Sequence, residues 1–225
     1  MEDFLMNYES NTWSDVQKTW LQEYQWLIDA KYPNEILTFM AFFEYLLAYS
    51  KALHGSRLSG GDYKSLTRGF KSLIETKSIT PDLSKNIFDL CCKLIQTCPQ
   101  PSQPASGFTY YDEIKKRVEK NYPDSFSSFP PHEHNHLNNP PLGEKVEQRN
   151  DYTNALADLF GWSWSLSQKT ENTTNKEKYF EAYFYVLLHS RNWLYHNNKA
   201  GNVEVDKFVL KKHLKIMNLM IENWK

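Results

Sequence analysis

Arg191, Asn192 and His196 are the residues of this chain whose types and spacing could do chemistry, within the run Ser190-Arg191-Asn192-Trp193-Leu194-Tyr195-His196-Asn197. A ribose 2′-hydroxyl attacks its own 3′-phosphate once a base takes its proton, and an imidazole titrating near neutrality suits that task or the protonation of the leaving 5′-oxygen. A guanidinium fork matches the equatorial oxygens of the extra-negative phosphorane. An amide can orient the phosphate or fix the histidine tautomer. Such a reaction needs no metal. It would leave a 2′,3′-cyclic phosphate and a 5′-hydroxyl, and it would spare DNA, which has no 2′-hydroxyl.

These groups need an element to hold them. Residues 174–198 carry a helical pattern, with Phe180, Phe184, Leu187, Leu188, Arg191, Leu194 and Tyr195 recurring at three- and four-residue steps. A helix turns about 100° per residue, so Asn192 and His196 share a face and Arg191 sits one position round. Asn197, Asn198 and Gly201 supply the stop. One helix offers one histidine, whereas acid–base cleavage generally uses two proton carriers. A two-fold homodimer would join two copies of the strip into a composite site with Arg191 and His196 from both chains.

The pattern Arg191-Asn192-x-x-x-His196 near the end of an aromatic-rich helix resembles the signature of HEPN-domain ribonucleases. The resemblance implies a compact helical bundle acting as a metal-independent endoribonuclease, usually as a dimer. It also implies a setting of prokaryotic antiviral defence or toxicity, with an antitoxin or a CRISPR effector complex as partner. It rests on one short motif and a compatible helical context over the last half of the chain. A toxin branch of the superfamily carries a modifiable Tyr two residues after the His; Asn198 stands there in this chain, so control by nucleotidylation is not expected.

Competing accounts start from the same residues. Arg191 and His196 could instead serve the helix C-terminus through its dipole and open carbonyls. The chain could be a HEPN-like module that binds RNA, nucleotide or protein without cutting, or a helical subunit of a larger ribonucleoprotein.

The surroundings narrow the choice. The chain has 225 residues and a formal net charge of −1, so no global basic field advertises nucleic acid. The tail differs: Arg191, Lys199, Lys207, Lys211, Lys212, Lys215 and Lys225 face only Glu204, Asp206 and Glu222. Lys199, Lys211 and Lys212 are candidates for holding an RNA backbone, although charge runs are usually solvated helix faces. Trp193 and Tyr195 flank the motif and are candidates for stacking on splayed bases, while the other aromatics at helical spacing read as core or dimer interface.

Residues 1–98 read as an N-terminal helical region and 108–225 as a HEPN-like helical domain, giving an all-α antiparallel bundle with an N-terminal extension. The first region holds helices from Ser14 to about Ala30, from Pro33 to about Leu53, from Asp62 to about Lys77, and from Thr80-Pro81-Asp82 onward. The Pro- and Ser-rich stretch 99–107 is a linker by composition. A charged helix over Tyr111–Asn121 precedes a long irregular loop at 123–143. Helices at about Glu147–Gln168 and Val205–Trp224 flank the motif helix.

The acidic start Met1-Glu2-Asp3 is followed by no signal-type segment, and Ile36–Tyr49, interrupted by Glu44, reads as a buried helix rather than a span. Cys91, Cys92 and Cys98 match no standard zinc spacing and suit core packing in a reducing cytoplasm. The tract His132-Glu133-His134-Asn135-His136 reads as a polar loop with adventitious metal affinity. No cofactor, metal or membrane partner is expected. Glu113 and Arg117, four apart, read as a surface ion pair that could assist the site, with Asp151 and Asn154 similarly placed. His189 points away from Arg191 and reads as structural.

Overall fold

The computed structural model describes residues 35–53, 62–76, 78–98, 110–133, 146–168, 176–197 and 207–224. The expected helix over Ser14–Ala30 lies outside them, as does Lys199. Eight α-helices and one 3-10 helix, with no strand, make up the described residues. They are α1 (Glu35–Leu53), α2 (Asp62–Gly69), α3 (Lys71–Thr76), α4 (Pro81–Gln96), α5 (Tyr110–Asn121), the 3-10 helix Pro123–Ser128, α6 (Val146–Ser167), α7 (Lys176–Asn197) and α8 (Lys207–Trp224).

Local chemistry sets the boundaries. Thr80 caps α4: its hydroxyl accepts from the Leu83 amide at 3.3 Å, with Pro81 and Asp82 in the first turn. The helix closes at Thr97, whose Oγ1 donates to the Lys93 carbonyl at 2.6 Å. One helix expected from Asp62 onward is two, interrupted at Phe70, although amide bonds from Phe70 to Leu66 and from Ile74 to Phe70 continue the helical ladder. A Cβ on Gly69 would lie 2.1 Å from the Ser50 carbonyl oxygen, so only glycine lets α2 cross α1 this closely.

The stretch after Pro123 is more regular than its composition suggests. Pro123–Ser128 form the 3-10 helix, and Phe126 and Phe129 pack against the core. The following chain is pinned to its neighbours: Tyr111 donates its hydroxyl to the Pro130 carbonyl at 2.8 Å, and the Glu133 amide donates to the Gln96 carbonyl at 2.8 Å. Two aromatic anchors outweigh the turn-forming residues around them. His134 and His136 lie outside the described residues.

The buried set forms one cluster, with members from α1 to α4 on one side of residues 99–107 and from α5 to α8 on the other. The most extensive packing is α4 on α6; α8 lies against α4 and α1, α5 against α6, and α7 against α6 and the first three helices. Within α1, Phe39, Phe42, Phe43, Tyr45, Leu46 and Leu47 are buried and Glu44 is exposed. Cys91 and Cys98 are buried, and burial pushes the Cys92 and Cys98 thiols up to about 12 and Cys91 upward as well, so all three stay protonated. Among the described residues no helix is long and apolar enough to cross a membrane, and no group of three or more His, Cys, Asp or Glu is arranged to hold a metal ion.

Candidate functional site

The motif helix α7 buries one broad face. Tyr179, Phe180, Tyr183, Phe184, Val186, Leu187 and Ser190 are all buried and fall within one arc of about 160° at 100° per residue. That face packs against α6 and the first three helices, and Arg191, near the C-terminal end, is partly exposed. The backbone remains helical through Asn197, so residue 196 follows residue 192 by about one turn on the same face. The side chains of Trp193, Tyr195 and His196 lie outside the described residues.

Neighbours from α7 and α1 constrain the Arg191 guanidinium. Nη1 donates to the Asn192 side-chain oxygen at 3.1 Å, and Nη2 donates to the Glu44 carboxylate at 3.3 Å. The guanidinium carbon sits 5.3 Å from the centroid of the Phe43 ring, a cation–π stack on a fully buried aromatic. The Arg191 side chain keeps 20% exposure and Glu44 53%, so the pair opens to solvent from the carboxylate side. Asn192 thus touches its neighbour directly. Phe43 and Glu44 come from α1, almost 150 residues earlier, and sequence reasoning did not connect them with the motif. A signal was present: Glu44 is the one carboxylate in the apolar stretch 36–49.

Beneath the motif lies a buried polar relay. Ser190 donates its hydroxyl to the Val186 carbonyl at 3.1 Å, so its oxygen accepts from His213 Nε2 at 3.0 Å. That assigns the proton to Nε2 and leaves Nδ1 to accept from the Tyr183 hydroxyl at 3.4 Å. His213 is fully buried, with the Phe39 ring 5.6 Å away, and burial pulls its pKa down to about 3. A neutral imidazole on α8 therefore ties down the residue immediately before Arg191. Sequence reasoning did not single out this histidine.

The remaining candidates are dispersed. Lys212 is committed to α4: its ammonium donates to Asp89 at 2.6 Å and to the Asn86 side-chain oxygen at 3.2 Å, and it lies 5.4 Å from the Phe208 ring. Lys215 lies 3.9 Å from Asp82 on the same helix, and Lys211 is exposed. The basic character of α8 is thus partly answered by α4. Arg117 does not pair with Glu113 as expected; its Nε and Nη2 fork onto Asp158 of α6 at 3.3 and 3.2 Å, because both helices present these groups at their contact. Tyr122 also donates to Asp158, at 2.9 Å. Asp151 and Asn154 join Asp158, Trp162, Glu181 and Tyr185 around a groove of about 380 Å³ between α6 and α7. His189 lies between the rings of Tyr152 and Tyr185, with centroids at 5.1 and 4.7 Å, and burial lowers its pKa. His132 approaches the Cys98 carbonyl at 3.1 Å and the Tyr111 ring at 4.8 Å.

Comparison of the chain with protein-family models, with curated proteins and with solved structures gave no match.

Proposed function

We propose that the chain is a metal-independent endoribonuclease of the HEPN type, cleaving single-stranded RNA by 2′-hydroxyl attack and working as a homodimer. The observation that carries this reading is the setting of Arg191. Its guanidinium is stacked on Phe43 and bonded to Asn192, yet it opens to solvent near the end of a helix whose next turn bears His196. A cation fixed before substrate arrives loses little entropy on meeting the phosphorane, which is the condition for electrostatic catalysis. In this reading Arg191 stabilises the transition-state charge, Asn192 orients it, and His196 transfers the proton. Trp193, Tyr195, Lys199 and Lys211 would guide the strand. Prokaryotic antiviral defence or toxicity is the proposed setting, with an antitoxin or a CRISPR complex as the controlling partner.

The same contacts support a second reading, in which Arg191 clasps α7 to α1 and the module binds RNA or a protein without cutting. Product chemistry separates the two. Purified protein incubated with an RNA oligonucleotide in EDTA should yield fragments ending in 2′,3′-cyclic phosphate and 5′-hydroxyl, and His196→Ala should reduce the rate by at least about 100-fold, the scale of a lost general acid or base. Absence of cleavage would leave only the second reading, and cleavage unchanged by His196→Ala would remove His196 as the proton carrier.

A further inference from the structure

Among the groups that hold Arg191, Phe43 is apolar and Asn192 is neutral. Phe43 is fully buried and Asn192 is its own neighbour on the helix, so both are fixtures of the fold. Glu44 differs in kind. It is an anion, it is more than half exposed, and its carboxylate sits on Nη2 at 3.3 Å, on the solvent side of the pair. A carboxylate and a phosphate oxygen make the same contact with a guanidinium. The Glu44 carboxylate therefore marks where an anion meets Arg191, and an incoming phosphate must either displace it or share the cation with it.

We propose that Glu44 is a counter-ion gate on the site: it holds the place of the substrate phosphate on Arg191 and is displaced when RNA binds. This rests on the reading of Arg191 as the phosphate-contacting residue. The exposure of Glu44 makes the displacement inexpensive, because an exposed ion pair is weak and the released carboxylate regains water. The stack on Phe43 and the bond to Asn192 keep the guanidinium in place during the exchange. The carboxylate would act against weakly bound anions, since each must outcompete a tethered rival.

The test is a binding measurement that needs no turnover. Fluorescence anisotropy with a single-stranded RNA oligonucleotide carrying 2′-fluoro groups, which cannot be cut by 2′-hydroxyl attack, gives Kd for the wild type, Glu44→Gln, Arg191→Ala and the double variant. Glu44→Gln keeps the shape and an acceptor while removing the charge; Glu44→Ser serves as the second variant should the glutamine fold poorly. The expected result is binding about two- to fivefold tighter for the charge-removed protein, the range an exposed ion pair supports. That gain should vanish in the Arg191→Ala background. Unchanged or weaker binding by both Glu44 variants, with Arg191→Ala still weakening RNA binding, would overturn the gate and leave the Arg191 reading standing. RNA binding and cleavage both indifferent to Arg191→Ala would overturn the reading, and the gate with it.

Discussion

Arg191 meets chemically different neighbours, among them an aromatic face, an amide oxygen and a carboxylate. Each constrains one aspect of a planar cation, namely its tilt, its rotation and its charge. The adjacent residue, Ser190, is tied through His213 to Tyr183 in a relay that holds only while the imidazole is neutral. The pH consequence has a definite sign. The folded-state pKa of about 3 lies below the ordinary value of 6.5, so the unfolded chain binds more protons between these limits. The contribution of His213 to stability is thus full above about pH 6.5 and is lost progressively as pH falls toward 3. Urea unfolding of the wild type should show a fall of roughly 2 kcal/mol between about pH 7.5 and pH 5 attributable to this group. His213→Gln should flatten that part of the profile, and an equal fall in the variant would remove His213 as its source. At this scale the sequence was partly legible. Adjacent groups such as Arg191 and Asn192 could be read together, whereas Glu44 and His213 join them only through tertiary packing.

Helix contacts place these side chains, and glycines set how closely two of the helix pairs approach. At Gly161 an added Cβ would lie 2.2 Å from Cγ of the Tyr122 ring, at the root of the side chain where it cannot swing clear. That ring packs edge-on against Trp162 and carries the hydroxyl that donates to Asp158. Gly161→Ala should therefore destabilise the protein by about 1–3 kcal/mol, the usual scale of overpacking. A shift of the denaturant midpoint at unchanged slope measures it, and no shift would mean that α5 and α6 accommodate the methyl group freely. Element boundaries were readable where local chemistry decides them, as at Thr80-Pro81, and at the start of α5, found at Tyr110. They were not readable where distant packing decides. Pro123–Ser128 looks irregular by composition, and it is the docking of Phe126 and Phe129 that makes it regular. Helical spacing, which is visible in a sequence, pairs Arg117 with Glu113, while the fork of Arg117 onto Asp158 is a contact between helices.

Across the whole molecule, helices from both sides of the Pro-rich stretch share one core, so α1 can supply Phe43 and Glu44 to a motif near the other end of the chain. The charge balance is local as well as global. Lys212 and Lys215 meet Asp89 and Asp82 of α4, which leaves less of α8 to attract a phosphate backbone than its lysine count suggests. A site built on one such chain has one motif histidine, and the proposed mechanism uses two proton carriers. Sedimentation at concentrations that support cleavage should therefore show a species of twice the chain mass, and a monomer with full activity would contradict the composite site. One comparison decides whether Arg191 and His196 cut RNA through its own 2′-hydroxyl. An RNA oligonucleotide and its counterpart with a single 2′-deoxy substitution at the cleaved nucleotide are each incubated in EDTA with wild type, Arg191→Lys and His196→Ala. Arg191→Lys preserves the charge of the clasp to α1 while removing the fork, and the folded fraction of each variant is confirmed by its thermal transition. Only wild type should cut appreciably, and the deoxy position should be spared. Cleavage at the deoxy position, or undiminished cleavage by both folded variants, would contradict this mechanism.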